Sequence, residues 1–65
     1  MQIVVNGKSR DVTATTLATL LGELGYGGAR LATALDGDFV PASRRATCAL
    51  REGCAIEILA PRQGG

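Results

Sequence analysis

The last two residues, Gly64-Gly65, follow Pro61-Arg62-Gln63 and give the strongest chemical signal in the chain. Glycine loses more conformational freedom on ordering than any other residue, so paired glycines at a chain end build little structure. What they offer is thinness. With no Cβ on either residue, the α-carboxylate of Gly65 can thread a narrow channel and reach a buried reactive phosphate. A bare carboxylate is a poor electrophile. Adenylation would convert it to a mixed anhydride with AMP as leaving group, open to a sulfur or nitrogen nucleophile. The competing reading is incidental fraying of a chain end.

Other chemistry-bearing residues have simpler explanations. Asp36 and Asp38 flank Gly37. Paired carboxylates can do acid/base work or hold a cation, but aspartate is favoured in turns for backbone reasons, and no third ligand is near in sequence. Gly25-Tyr26-Gly27-Gly28 follows a helical pattern rather than opening one, and it lacks the Lys-Ser/Thr of a phosphate loop. It reads as a helix exit. Cys48 and Cys54, in a chain without histidine, cannot complete a four-ligand zinc site. They read as reduced thiols, at least one of them a small core side chain; the spacing leaves a disulfide between them open. Arg44-Arg45 reads as a solvated turn rather than a phosphate site. No catalytic side chain and no metal site stand out.

The elements that must position the tail are legible from periodicity. Gln2 to Val5 reads as a strand with Ile3 and Val5 on one face. Asn6-Gly7 is a strong signal for a two-residue hairpin turn, with Lys8 to Val12 returning. Thr13 to Thr16 can supply a helix N-cap. Leu17, Leu20, Leu21 and Leu24 then fall at i, i+3, i+4 and i+7, one face of an amphipathic helix. Gly22 lies off that stripe, and Gly25 is placed to end the helix in a left-handed cap. Leu31 to Leu35 reads as a third strand, Asp36-Gly37 as a second hairpin turn and Asp38 to Val40 as a short return. Pro41 stops that return or confines it to an edge. Ala42 to Leu50 has no clear pattern. Glu52-Gly53 reads as a turn, and Ala55 to Ala60 as a final strand with Ile56 and Ile58 on one face. The leucine stripe needs an apolar partner, and only a sheet is available, which predicts a two-layer α+β domain. The expected organisation is one domain over residues 1–61 and a flexible tail over 62–65.

Composition narrows the function classes. With 46% hydrophobic and 20% charged residues the chain of 65 residues should fold. A domain this small buries only roughly 60% of its unfolded surface, which favours a carrier or binding module over a self-contained catalyst. Net charge is +1, and the only aromatics are Tyr26 and Phe39, a poor match to the basic groove and stacking platforms of single-strand nucleic-acid binders. No apolar run approaches the ~20 residues of a membrane span. Strand-like sequence directly after Met1 gives no expectation of a signal peptide. The cytoplasm is the default compartment.

Two segments and the tail carry a family resemblance. Ala34-Leu35-Asp36-Gly37-Asp38-Phe39-Val40-Pro41 and Leu50-Arg51-Glu52-Gly53-Cys54-Ala55-Ile56-Glu57-Ile58 resemble the corresponding segments of the ThiS sulfur carriers of thiazole synthesis. These belong to the ubiquitin-like β-grasp family. Gly64-Gly65 completes the match, and Asn6-Gly7 sits where such proteins place their first hairpin turn. Cys54 departs from the family, which more often has aspartate there.

The resemblance implies a β-grasp fold, a mixed sheet on one main helix. It also implies that a ThiF-type, E1-like adenylyltransferase activates Gly65 with ATP and magnesium, so that this chain binds no cofactor itself. Sulfur relayed from a cysteine desulfurase would then give a Gly65 thiocarboxylate, and a ThiG-type thiazole synthase would use it. The chain would be a protein co-substrate for thiamine biosynthesis rather than an enzyme, with no nucleic-acid or membrane partner. MoaD-like carriers, other pathway carriers on the same scaffold, ubiquitin-like modifiers and a plain binding domain are the alternatives. On the last strand, Glu57 and Leu59 face away from Ile56 and Ile58. Leu59 is expected to anchor an apolar patch that docks on the activating partner, with Arg62 pairing to an acidic rim.

Overall fold

The computed structural model describes residues 1–26 and 30–61. The chain opens as a hairpin of β1 (Gln2–Val5) and β2 (Lys8–Asp11), continues through helix α1 (Leu17–Glu23), and forms a second hairpin of β3 (Ala32–Leu35) and β4 (Asp38–Val40). A 3₁₀ segment (Ala42–Thr47) then leads to β5 (Ala55–Leu59). The five strands form one sheet in the order β2-β1-β5-β3-β4, with the last strand at its centre. β5 runs parallel to β1 and antiparallel to β3. The two-layer α+β architecture predicted from periodicity is observed, and its strand order is the β-grasp arrangement that the family resemblance implies.

Both hairpin turns use backbone that few side chains tolerate. Asn6 and Gly7 have φ of 50° and 82°, and Asp36 and Gly37 have 49° and 88°. Those pairs of positive angles belong to the type I′ turn, whose twist matches that of the flanking strands. Sequence strand boundaries differ from the observed ones by a residue at the ends of β2, β3 and β5. Val12, just past β2, is buried in the core and still exchanges backbone hydrogen bonds with Met1.

Helix α1 begins at a capping box. Thr16 Oγ1 accepts from the backbone N–H of Thr19, and Thr19 Oγ1 accepts from that of Thr16. The helix ends in a Schellman motif: the Tyr26 N–H donates to the Leu21 carbonyl and the Gly25 N–H to that of Gly22, with Gly25 at φ 88°. Leu17, Leu20 and Leu21 are buried with Ile3, Val5, Ile56 and Ile58 in one core. Leu24 departs from the expected stripe. It is the C-cap residue rather than a helical one and only half-buried, because the helix stops before carrying it fully under the sheet.

The unassigned stretch after Pro41 is the 3₁₀ segment, and it corrects the reading of Arg44-Arg45. Arg44 is exposed, but Arg45 is half-buried. Its Nε donates to Thr33 Oγ1 at 3.1 Å and its Nη2 to the Leu31 carbonyl at 2.7 Å. Thr33 is 2% exposed and its hydroxyl donates in turn to the Val40 carbonyl. Arg45 thus ties the 3₁₀ segment to β3 while its charge-assisted bonds satisfy a buried hydroxyl. Both cysteines are free thiols; Cys54 is buried in the core and Cys48 half-buried.

Candidate functional site

Burial alternates along β5, placing Ile56 and Ile58 against the helix and Ala55, Glu57 and Leu59 on the opposite, open face. Directly paired residues share a face of a sheet. The register places Ala32 opposite Leu59, Ala34 opposite Glu57 and Phe39 opposite Ala34. The open face at this end of the sheet is therefore an apolar surface of Leu59, Ala32, Ala34 and Phe39 with one carboxylate, Glu57, within it. These residues and Asn6 line a shallow depression.

Phe39 and Leu59 are 70% and 71% exposed, and they are the exposed large hydrophobic residues among those described. One exposed leucine needs no explanation. Two large apolar side chains framing two alanines form a continuous surface, which is what a partner site looks like. Sequence reading found Leu59 and Glu57 but missed Phe39. The signal available was the alternation in β4, where Val40 faces the core and Phe39 must face away. Periodicity alone does not place β5 beside β3, the neighbour relation that brings Phe39 and Leu59 onto one surface.

The surface lies at the root of the tail. β5 ends at Leu59, and Ala60 and Pro61 lead on from it. Arg62, Gln63, Gly64 and Gly65 lie outside the described residues, as does the expectation that they are mobile. The same holds for Gly27 and Gly28 of the glycine-rich helix exit.

Three other carboxylates accept backbone hydrogen bonds and so have structural roles. Asp36 Oδ1 accepts from the Ala55 N–H at 2.8 Å, so this turn caps the start of β5. Glu52 accepts from the Gln2 N–H. Glu23 accepts from the backbone N–H groups of Thr13 and Ala14 and from the Thr13 hydroxyl. Hydrogen bonding from the Thr13 N–H is the main cause holding its carboxyl below the ordinary glutamate range. Among the described residues, no three His, Cys, Asp or Glu side chains are grouped to hold a metal, and no helix is long and apolar enough to cross a membrane.

Comparison with known proteins agrees with this geometry. The ThiS family model matches residues 3–65, a span that includes the terminal glycines. A crystal structure of the thiamine biosynthesis protein ThiS from Geobacter metallireducens superposes with a TM-score of 0.84 at 26% identity, covering all of both chains. A solution structure of a thiamine biosynthesis protein from the same organism gives 0.82 at 25% identity, covering all of this chain and 88% of that one. The thiazole synthase of Paramagnetospirillum magneticum is 38% identical over 66 residues. This chain spans 20% of that protein's length.

Proposed function

The chain belongs to the ThiS family, the small sulfur carriers of thiamine biosynthesis, and from that premise we propose that it carries sulfur as a thiocarboxylate on Gly65. The observation that carries this reading is the family match running through Gly64-Gly65, on a β-grasp domain whose last strand occupies the centre of the sheet. A central strand is hydrogen-bonded on both edges, so it is a rigid base from which to present a thin tail.

The chemistry then follows in two steps. The Gly65 carboxylate attacks the α-phosphorus of ATP in the adenylating partner, forming the acyl-adenylate and releasing pyrophosphate. A sulfur nucleophile from a cysteine-desulfurase relay adds to the acyl carbon and AMP leaves. Reductive cleavage of the relay's sulfur–sulfur bond, by a thiol in that relay, leaves the thiocarboxylate. This chain contributes the carboxyl group and a docking surface, and the activation machinery with its ATP and magnesium belongs to the ThiF-type partner. The likeness to a thiazole synthase, of which this chain matches a fifth, supports a ThiG-type enzyme as the consumer of the sulfur.

The apolar surface of Phe39, Leu59, Ala32 and Ala34 is the docking face for the activating partner, with Glu57 meeting a basic group on that partner and Arg62 an acidic rim. Purified chain incubated with the adenylating enzyme, ATP and a sulfur donor should yield a species heavier by the difference between sulfur and oxygen, localised to Gly65. Isopeptide conjugates to lysine would instead make the chain a modifier. Absence of both products would leave only a binding domain.

A further inference from the structure

Asn6 does more than turn the first hairpin. The parallel ladder between β1 and β5 carries backbone rungs from the Val4 N–H to the Cys54 carbonyl and from the Asn6 N–H to the Ile56 carbonyl, both at 2.9 Å. The next rung would fall at Ile58, but there the first strand has already turned away. The side-chain amide of Asn6 replaces it. Oδ1 accepts from the Ile58 N–H at 2.8 Å, and Nδ2 donates to the Ile58 carbonyl at 3.1 Å. One amide thus satisfies both backbone groups of Ile58 on that edge, as a strand would. On the other edge β3 pairs with β5 as far as Leu59.

We propose that Asn6 is a positioning residue for the chemistry at the chain end: its amide extends the β1 edge to Ile58 and fixes where the tail leaves the domain. The inference rests on the carrier reading above. From Ile58 to Gly65 is seven residues, a reach of at most about 25 Å when extended, so the location and direction of this root govern where the carboxylate can arrive. Without the amide, the last rung on that edge is lost and the root is held by β3 alone. The residue type fits both tasks. Asparagine tolerates the positive φ of the turn, and unlike aspartate it presents a donor to the Ile58 carbonyl and an acceptor to its N–H.

Asn6→Gly separates the two tasks, because glycine keeps the turn and removes the amide. Two readouts are taken on wild type, Asn6→Gly and Asn6→Asp. One is hydrogen exchange at the Ile58 amide. The other is pyrophosphate release with the adenylating enzyme and ATP, analysed for kcat and for the KM of the carrier. Because a misplacement near 1 Å can cost on the order of 100-fold in rate, Asn6→Gly is expected to lower kcat by about 10-fold with KM changed less than about 2-fold. Ile58 exchange should accelerate by about 10-fold or more, since it no longer has its acceptor. Asn6→Asp sets a carboxylate oxygen against the Ile58 carbonyl in place of the donor, so it too should lower kcat and accelerate Ile58 exchange relative to wild type.

Unchanged kcat in an Asn6→Gly chain whose Ile58 exchange has accelerated would show the amide to be purely structural and overturn the proposal. Unchanged exchange would overturn it earlier, by showing that the amide holds nothing. An effect confined to KM would also overturn it, by placing Asn6 in the docking face instead. A wild type that releases no pyrophosphate overturns the carrier reading and the positioning role together, a result distinct from the others. If Asn6→Gly does not fold, Asn6→Asp decides the matter by the same two readouts.

Discussion

Truncating Phe39 and Leu59 to alanine should weaken partner binding far more than it weakens the fold, and the structure sets the ratio. Fully burying a leucine or phenylalanine side chain contributes about 1.5–3 kcal/mol. Leu59 is 71% exposed and Phe39 70% exposed, so less than a third of that gain is realised within the domain. Each truncation should therefore cost folding stability no more than about 0.5–1 kcal/mol. If a partner covers the remaining surface, each side chain adds about 1–2 kcal/mol to binding, or roughly 5- to 30-fold in Kd. Calorimetric titration of each variant into the adenylating partner, with the melting temperature recorded on the free chain, measures both quantities. The open-face argument predicts large affinity losses and a nearly constant Tm. Affinity within about twofold of wild type in both single variants and in the double variant would refute it, since such a surface could not then be covered in the complex.

The other predictions concern the scaffold and its electrostatics. Leu20 is fully buried, so Leu20→Ala should cost about 2–5 kcal/mol in denaturant unfolding; a loss under about 0.5 kcal/mol would mean that the helix stripe does not face a core. Glu23 titrates lower in the folded chain than in the unfolded one, mainly through the Thr13 N–H, so its contribution is complete above the ordinary glutamate range and disappears as the pH falls through the lowered value. The stability difference between wild type and Glu23→Gln should accordingly shrink on acidification; a difference independent of pH would contradict that. Glu57→Lys should reduce affinity for the activating partner without lowering Tm, and a restored affinity on reversing the facing basic residue of the partner would identify the pair.

Much of this fold was legible because its local signals agree with one another. Asn6-Gly7 and Asp36-Gly37 mark the two tight hairpins, and the leucine spacing marks the helix. The alternation of Ile56 and Ile58 with Glu57 and Leu59 assigned the faces of β5. What stayed hidden depends on contacts between residues far apart in sequence. Ala42–Thr47 forms a 3₁₀ segment with no buried residue, so no apolar period announced it. It is held from outside: Arg45 bonds to Thr33 and Leu31, and just past its end the Cys48 carbonyl accepts from the Leu17 N–H at the helix start. The role of Asn6 was hidden for the same reason. Its turn propensity is local, but its bonds to Ile58 span 52 positions. The surface at Phe39 and Leu59 exists only because the last strand inserts between the first and third, an arrangement that pairwise turn and helix signals do not encode.

The central claim is tested most directly by one intact-mass experiment on three chains: wild type, a variant lacking Gly65, and a variant with one alanine added after Gly65. The addition moves the carboxylate by up to about 3.6 Å and gives it a Cβ, while the folded domain is untouched. With the adenylating enzyme, ATP and a sulfur donor, wild type should gain the mass difference between sulfur and oxygen at Gly65, and neither variant should. Sulfur gained by the extended variant as readily as by wild type would contradict the account, because the reacting group would then not be the carboxyl of Gly65.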